Sequence, residues 1–269
     1  MKKIAWGAVA LAGVLAGCPS GTSTAPLTGA DATVLTEESA LYDVDSTLTF
    51  ATVDPFADAT FVAPGVLAKG FDPAQAATTA AAKAGNYFQP SSCVHATANG
   101  AVATYVLNHC KGSFGFTDGT GTFTATYAAN AANKLEVTLA GKGLHVEGVG
   151  YDVNAVAVAI GSGATRTVDL SSQTTLAGTA TTRATRSTLA WTRPTGCITI
   201  NGTGTRVGSG PQYSLNVHGF KSCSSECPTT GTLTASGPSG PAKVTYDGSS
   251  TPNAVSGTGA SGTIDVVCQ

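Results

Sequence analysis

Residues 119–146 read GTGTFTATYAANAANKLEVTLAGKGLHV. Phe123, Ala125 and Tyr127 alternate with threonines. After a polar break, Leu135, Val137 and Leu139 repeat the alternation, followed by Leu144 and Val146. Successive side chains of a strand point to opposite faces, so this period of two describes strands with one face on a core and a hydroxyl-rich face toward water. A helix would place its apolar residues three and four apart.

The same pattern spreads outward from this stretch. Val168/Leu170, Leu189/Trp191, Ile198/Ile200, Leu215/Val217, Val244/Tyr246 and Ile264/Val266 continue it toward the C-terminus. Asn99-Gly100, between Val94–Thr97 and Val102–Tyr105, is a two-residue hairpin signal. Glycine-rich breaks at 119–121, 141–143, 161–163, 208–210 and 237–240 divide the remaining runs. Val153 to Ile160 is continuously apolar; it is a strand buried on both faces or a short helix, and periodicity alone does not choose. The expectation is an all-β fold, an antiparallel meander or sandwich-like domain over 89–269, stapled by disulfides. A faint echo between Cys93–Tyr127 and Cys197–Ala235 suggests two related units, 89–160 and 165–269.

Composition agrees. Among 269 residues there are 33 Gly and 41 Thr, only 11% are charged and 7% aromatic, and the net charge is -2. Without a basic surplus the chain does not read as a nucleic-acid binder held by phosphate neutralisation. Its low charge also separates it from highly charged disordered chains, and its Thr and Gly content from helical bundles.

Before the strands the text is mixed. Over 37–88 one helix is expected near 73–85. Asp72 can cap it, Pro73 suits the first helical position, Gln75 completes a capping box, and Gly85-Asn86 supplies a stop. Residues 18–36, rich in Pro, Ser, Thr, Gly and Ala, read as a flexible tether.

The N-terminus reads MKKIAWGAVALAGVLAGC. Lys2 and Lys3 form a positive start, and Ile4–Leu15 an apolar run of 12 residues. That is short of the roughly 20 residues a membrane-spanning helix needs, so 1–17 reads as a signal peptide. Leu15-Ala16-Gly17-Cys18 resembles the lipobox of bacterial lipoproteins. The resemblance implies cleavage before Cys18, lipidation of the Cys18 sulfur, and membrane attachment through that residue. With Pro19 rather than Asp after the cysteine, the family's sorting rules imply the outer membrane rather than the inner one. Cleavage would leave 12 basic residues of the 14, against 16 acidic ones, for a mature charge of -4. The late pattern Cys223-x-x-x-Cys227-Pro228 with Val244-Thr245-Tyr246-Asp247-Gly248 is similar to uncharacterised envelope lipoproteins of myxobacteria.

Export implies an oxidising compartment, and setting Cys18 aside leaves six of the seven cysteines to pair. A hairpin centred on Gly210 sets Cys197 opposite Cys223. Cys93–Cys110 is local, but a turn at Asn99-Gly100 sets Val106 opposite Cys93, so this bridge requires the chain to bend back near Asn108. Elimination leaves Cys227 with Cys268. His95 and His109 beside Cys93 and Cys110 raise a metal alternative. Zinc sites prefer closer spacing and reduced thiols, so no metal or other cofactor is expected.

Asp43-Val44-Asp45-Ser46-Thr47 resembles the first motif of haloacid-dehalogenase-type phosphatases. That resemblance would imply Asp43 as nucleophile and Asp45 as general acid/base. The chemistry also needs a buried parallel strand and a later acidic pair for Mg²⁺, which the chain lacks, so the segment reads as a polar turn. Asp118-Gly119-Thr120-Gly121 offers one carboxylate, too few for a calcium loop. Neither GxSxG nor HExxH occurs, and His95, His109, His145 and His218 are scattered. Trp191 and Tyr213 read as core rather than as glycan-stacking platforms. No catalytic residue is assigned. The expected function is a lipid-anchored envelope protein with a structural, adhesion or binding role toward a protein or glycan. A hydrolase with a spatially assembled site is the alternative.

Overall fold

Alternation becomes strands through most of the chain, although Ile264 and Val266 follow the last strand. A computed structural model describes residues 25–56, 61–63, 65–161, 165–192, 196–208, 210–223 and 226–266. In chain order the elements are α1 (Ala30–Val53), β1 (Phe61–Ala63), β2 (Val66–Leu67), α2 (Pro73–Lys83), β3 (Phe88–Gln89), β4 (Val94–Asn99), β5 (Val102–Gly112), β6 (Gly119–Ala129), β7 (Leu135–Val146) and β8 (Val149–Gly161). They continue as β9 (Thr165–Leu176), β10 (Thr182–Thr192), β11 (Cys197–Val207), β12 (Tyr213–Cys223), β13 (Thr230–Gly237), β14 (Gly240–Thr245), β15 (Asn253–Val255) and β16 (Ser261–Thr263).

The fold is mostly β. Strands β4 to β16 each pair with the next in an antiparallel meander, and β3 pairs with the end of β5, giving a 14-stranded sheet. Every apolar residue of the alternating runs, from Phe123 to Val266, is buried. Strands β8 and β9 pair from Tyr151 with Leu176 to Gly161 with Thr167, so the two expected units are parts of one sheet. Val153–Ile160 is strand, but it buries one face, not two. Ala155, Ala157 and Ala159 face inward, while Val156 is exposed.

Two of the glycine breaks are not turns. Gly119–Gly121 and Gly141–Gly143 lie inside β6 and β7, where the register shifts between Thr120 and Thr122 and between Gly141 and Leu144. Gly121 takes φ 118, and a Cβ there would approach Leu144 to 3.1 Å. The glycines let the strands bulge and bend.

The sequence reading missed α1. This helix of 24 residues occupies the interior, and it replaces both the end of the expected tether and the expected polar turn at 43–47. Its Tyr127, Ser172, Arg183, Arg206, Tyr213 and Tyr246 partners come from β6, β9, β10, β11, β12 and the segment after β14. One helix reaches so many strands because the sheet curls around it. The helix meets water mainly near its N-terminus, through Thr33 and partly through Thr36 and Glu37; from Leu41 to Thr49 it is buried all round. Three of its buried hydroxyls bond back along its own backbone: Ser39 to the Leu35 carbonyl, Ser46 to Tyr42 and Thr52 to Leu48.

The second helix begins where read and ends at Lys83, with a 3-10 turn over Ala84–Asn86, and Gln75 donates to Thr79 instead of closing a capping box. Asp72 accepts from the Ala74 N–H at 2.9 Å, and Pro73 opens α2. Ala76, Ala77 and Ala80 are buried, and the small side chains let α2 lie on β4, β5 and β6. Across 37–88, helices α1 and α2 therefore both pack against the sheet. At the N-terminal end, Pro26 bridges Thr263 in parallel, so the described part of the expected tether is tied to the β16 edge before α1 begins.

Candidate functional site

The inner sheet face changes character along its strands. Near the α1 C-terminus it is apolar: Val168, Leu189 and Ile200 are buried there. Toward the α1 N-terminus the register aligns Thr174, Arg183 and Arg206 in one row across β9, β10 and β11. Ser172, Thr185 and Gly204 form the next row, and Leu170, Ser187 and Gly202 the one after. These small and polar residues face the acidic stretch of α1.

Arg183 is the centre of this region. Its Nε donates to Glu38 Oε2 at 2.6 Å and its Nη1 to Asp45 Oδ2 at 2.7 Å, with both Arg183 and Glu38 fully buried. The guanidinium lies 4.5 Å from the Tyr42 ring centroid. Burial opposes its charge, but the Glu38 and Asp45 carboxylates outweigh that and hold it protonated. Burial also pushes the Tyr42 hydroxyl up to about 12. Arg206 donates to Glu38 at 3.3 Å and to Glu37, and Ser172 donates to Asp45 at 3.2 Å. Smaller polar contacts pin the helix ends. Asp31 accepts from Tyr213 and from the Gly257 N–H, and Asp54 accepts from Tyr87 and Trp191.

Asp43 differs from these. It is buried, its Oδ1 has no hydrogen-bond partner, and burial drives its carboxyl well above the usual range. Asp43 and Asp45, two residues apart on a helix, point about 200° apart around the axis. Asp45 meets Arg183, whereas Asp43 faces Gly115 in the loop between β5 and β6. The phosphatase-like motif is therefore a stretch of interior helix, with its two carboxylates on different sides.

The other sequence candidates are dispersed. Cys197 and Cys223 face each other across β11 and β12 and are bridged. Cys93 and Cys110 are also bridged. The hairpin between them closes on Gly100 and Ala101, with Asn99 opposite Val102, one residue later than read. The bend expected near Asn108 is present: His109 takes φ 54 and the β5–β6 register shifts between Leu107 and Cys110. Cys227 is disulfide-bonded, while Cys268 and the lipobox with Cys18 lie outside the described residues. Trp191 and Tyr213 are core residues that donate to Asp54 and Asp31.

Sequence reasoning missed one exposed polar corner. His109 Nδ1 lies 2.9 Å from Asp118 Oδ1, and Glu147 accepts from Thr117 Oγ1 and from the Asp118 N–H. Both His109 and Glu147 have positive φ, a strained conformation for such residues. Among the described residues no hydroxyl or thiol bonds to His109, and no three His, Cys, Asp or Glu side chains gather as a metal site.

On the outer sheet face two adjoining hollows of about 540 and 550 Å³ share Ser171, Arg186 and Thr203. The first is lined mainly by apolar surface, with Val156 and Ala184 beside Asn154 and Gln173, and the second mixes apolar surface with Asp169, Asn201 and His218. Such a surface can hydrogen-bond a hydroxylated or carboxylated polymer but offers no aromatic platform.

Compared with known proteins, the chain matches no family model, no curated protein and no solved structure.

Proposed function

We propose that this is a lipid-anchored envelope protein with a non-enzymatic binding or structural role, attached through Cys18. The observation that supports a non-catalytic reading is the placement of its acids. Asp31, Glu38, Asp45 and Asp54 are all buried and spent on holding α1 to the sheet. What faces water is a broad sheet that mixes hydroxyls and amides with exposed valines such as Val106 and Val156, suited to a glycan or a protein surface. The LAGC sequence ending at Cys18 supports the anchor, and among the described residues no helix is long and apolar enough to cross a membrane.

The test is expression of the wild type and Cys18→Ala in a bacterial host with membrane fractionation. The wild type should sediment with membranes and need detergent for release; the variant should appear in the soluble extracytoplasmic fraction, or keep its uncleaved leader. A variant that fractionates and migrates as the wild type does would refute the anchor. A second reading, an extracytoplasmic hydrolase, draws on the exposed His109–Asp118 pair. Ester or glycoside hydrolysis abolished by His109→Ala would favour it.

A further inference from the structure

The two ends of strands β9 to β16 differ in charge, and the chain enters at one of them. Beside the α1 N-terminus, strands β9 to β16 end in the segments 177–181, 210–212, 238–239 and 256–260, which meet Pro26–Gly29, and the sequence of these segments contains no Asp, Glu, Lys or Arg; on the β5 to β8 side the same end carries exposed Asp118 and Glu147. Pro26, Pro211 and Pro238 are exposed there. Val207 and Val255, at the adjacent strand ends, are 42% and 44% exposed. Asp31, the acid of the first α1 turn, is covered by Tyr213, Ser239 and Gly257. The opposite end of the same strands carries three exposed carboxylates, Glu226, Asp247 and Asp265.

Chain length connects this asymmetry to the membrane. Ala25 follows Cys18 by seven residues, which span at most about 25 Å when fully extended. Ala25 and Leu27 hydrogen-bond to Thr263 in parallel with β16, so the chain enters from the end where β16 begins, beside the α1 N-terminus. Strands of 11 residues, such as β10 to β12, are about 36 Å long. A tether of that reach holds the near end at the bilayer and leaves the far end about a strand length away. Anionic lipid would also repel Glu226, Asp247 and Asp265, whereas the segments around Pro26, Pro211 and Pro238 carry no charge of their own.

We propose that the end formed by Pro26, Pro211, Pro238, Val207 and Val255 is a lipid-facing surface, which seats the domain upright on the membrane with Glu226, Asp247 and Asp265 outward. This rests on the anchor at Cys18. The lipidated full-length protein is reconstituted into vesicles of phosphatidylethanolamine and phosphatidylglycerol, in two versions. One carries a fluorophore on Gln212→Cys at the near end, the other on Ser250→Cys at the far end. Quenching by headgroup-labelled lipid is expected to be several-fold stronger at 212 than at 250. Protein that floats with the vesicles but shows equal quenching at both sites, or the stronger quenching at 250, overturns the orientation alone. Protein that does not float overturns the anchor, and the orientation with it.

Discussion

Arg183 of β10 donates to Glu38 and to Asp45 of α1, two carboxylates seven residues apart and therefore about two helical turns apart on one side of the helix. This contact fixes both the rotation and the axial position of α1 inside the sheet. Removing one member of such a group leaves uncompensated charge in the interior. Arg183→Met should destabilise the fold by about 3–5 kcal/mol, read as a lower urea midpoint. Combining it with Glu38→Gln and Asp45→Asn should recover part of the loss, because the stranded charges are then gone.

Asp43 makes the opposite prediction about charge. Its folded-state value lies above the unfolded one, near 3.9, because burial disfavours the carboxylate. Below that value both states are protonated and no penalty exists. As pH rises past it, the unfolded chain loses the proton first and stability falls until the folded-state value is passed. Asp43→Asn should therefore be more stable than the wild type at neutral pH, with the difference shrinking toward pH 4. Urea titrations at several pH values measure it.

Gly115 carries the loop that covers Asp43. It takes φ 83, and a Cβ at this position would overlap Asp43 Oδ2. Gly115→Ala should cost about 1–3 kcal/mol from backbone strain and overpacking. Adding Asp43→Ala should relieve the overpacking but leave the strain, so a double-mutant cycle by chemical denaturation separates the two.

Each located disulfide closes a loop, with partners 17 and 26 residues apart. Chain-entropy arguments give about 3 kcal/mol for either. Replacing Cys197 and Cys223 together by Ala or Val should lower stability by that order, and Cys93 with Cys110 similarly. Denaturation midpoints of the two double variants, each against the wild type, check this.

The strands were legible because each buries one face. Phe123, Ala125 and Tyr127 point inward and the intervening threonines outward, so burial is written as an alternation. The bridge Cys197–Cys223 was legible for the same reason, since hairpin register is arithmetic once the turn is found. The α1 helix was not legible. Glu38, Asp43, Asp45, Ser46 and Thr49 are polar yet buried, so no apolar stripe marks the helix, and Gly29 offers no capping side chain. The groups that make its burial tolerable lie far along the chain: Arg183 is 145 residues from Glu38, and Arg206 is 168. A signal did exist in β10, where Arg183, Thr185 and Ser187 occupy the parity that Leu189 and Trp191 make inward. Polar residues at core parity imply a polar partner inside. The His109–Asp118 corner was hidden because a register shift, not spacing, creates it.

The anchor is tested most directly by the intact mass of the protein extracted from bacterial membranes with detergent. The predicted species begins at Cys18 and is heavier than residues 18–269 by the mass of attached acyl and glyceryl groups. A chain that begins at Met1, or one whose Cys18 sulfur carries no lipid, would contradict the account.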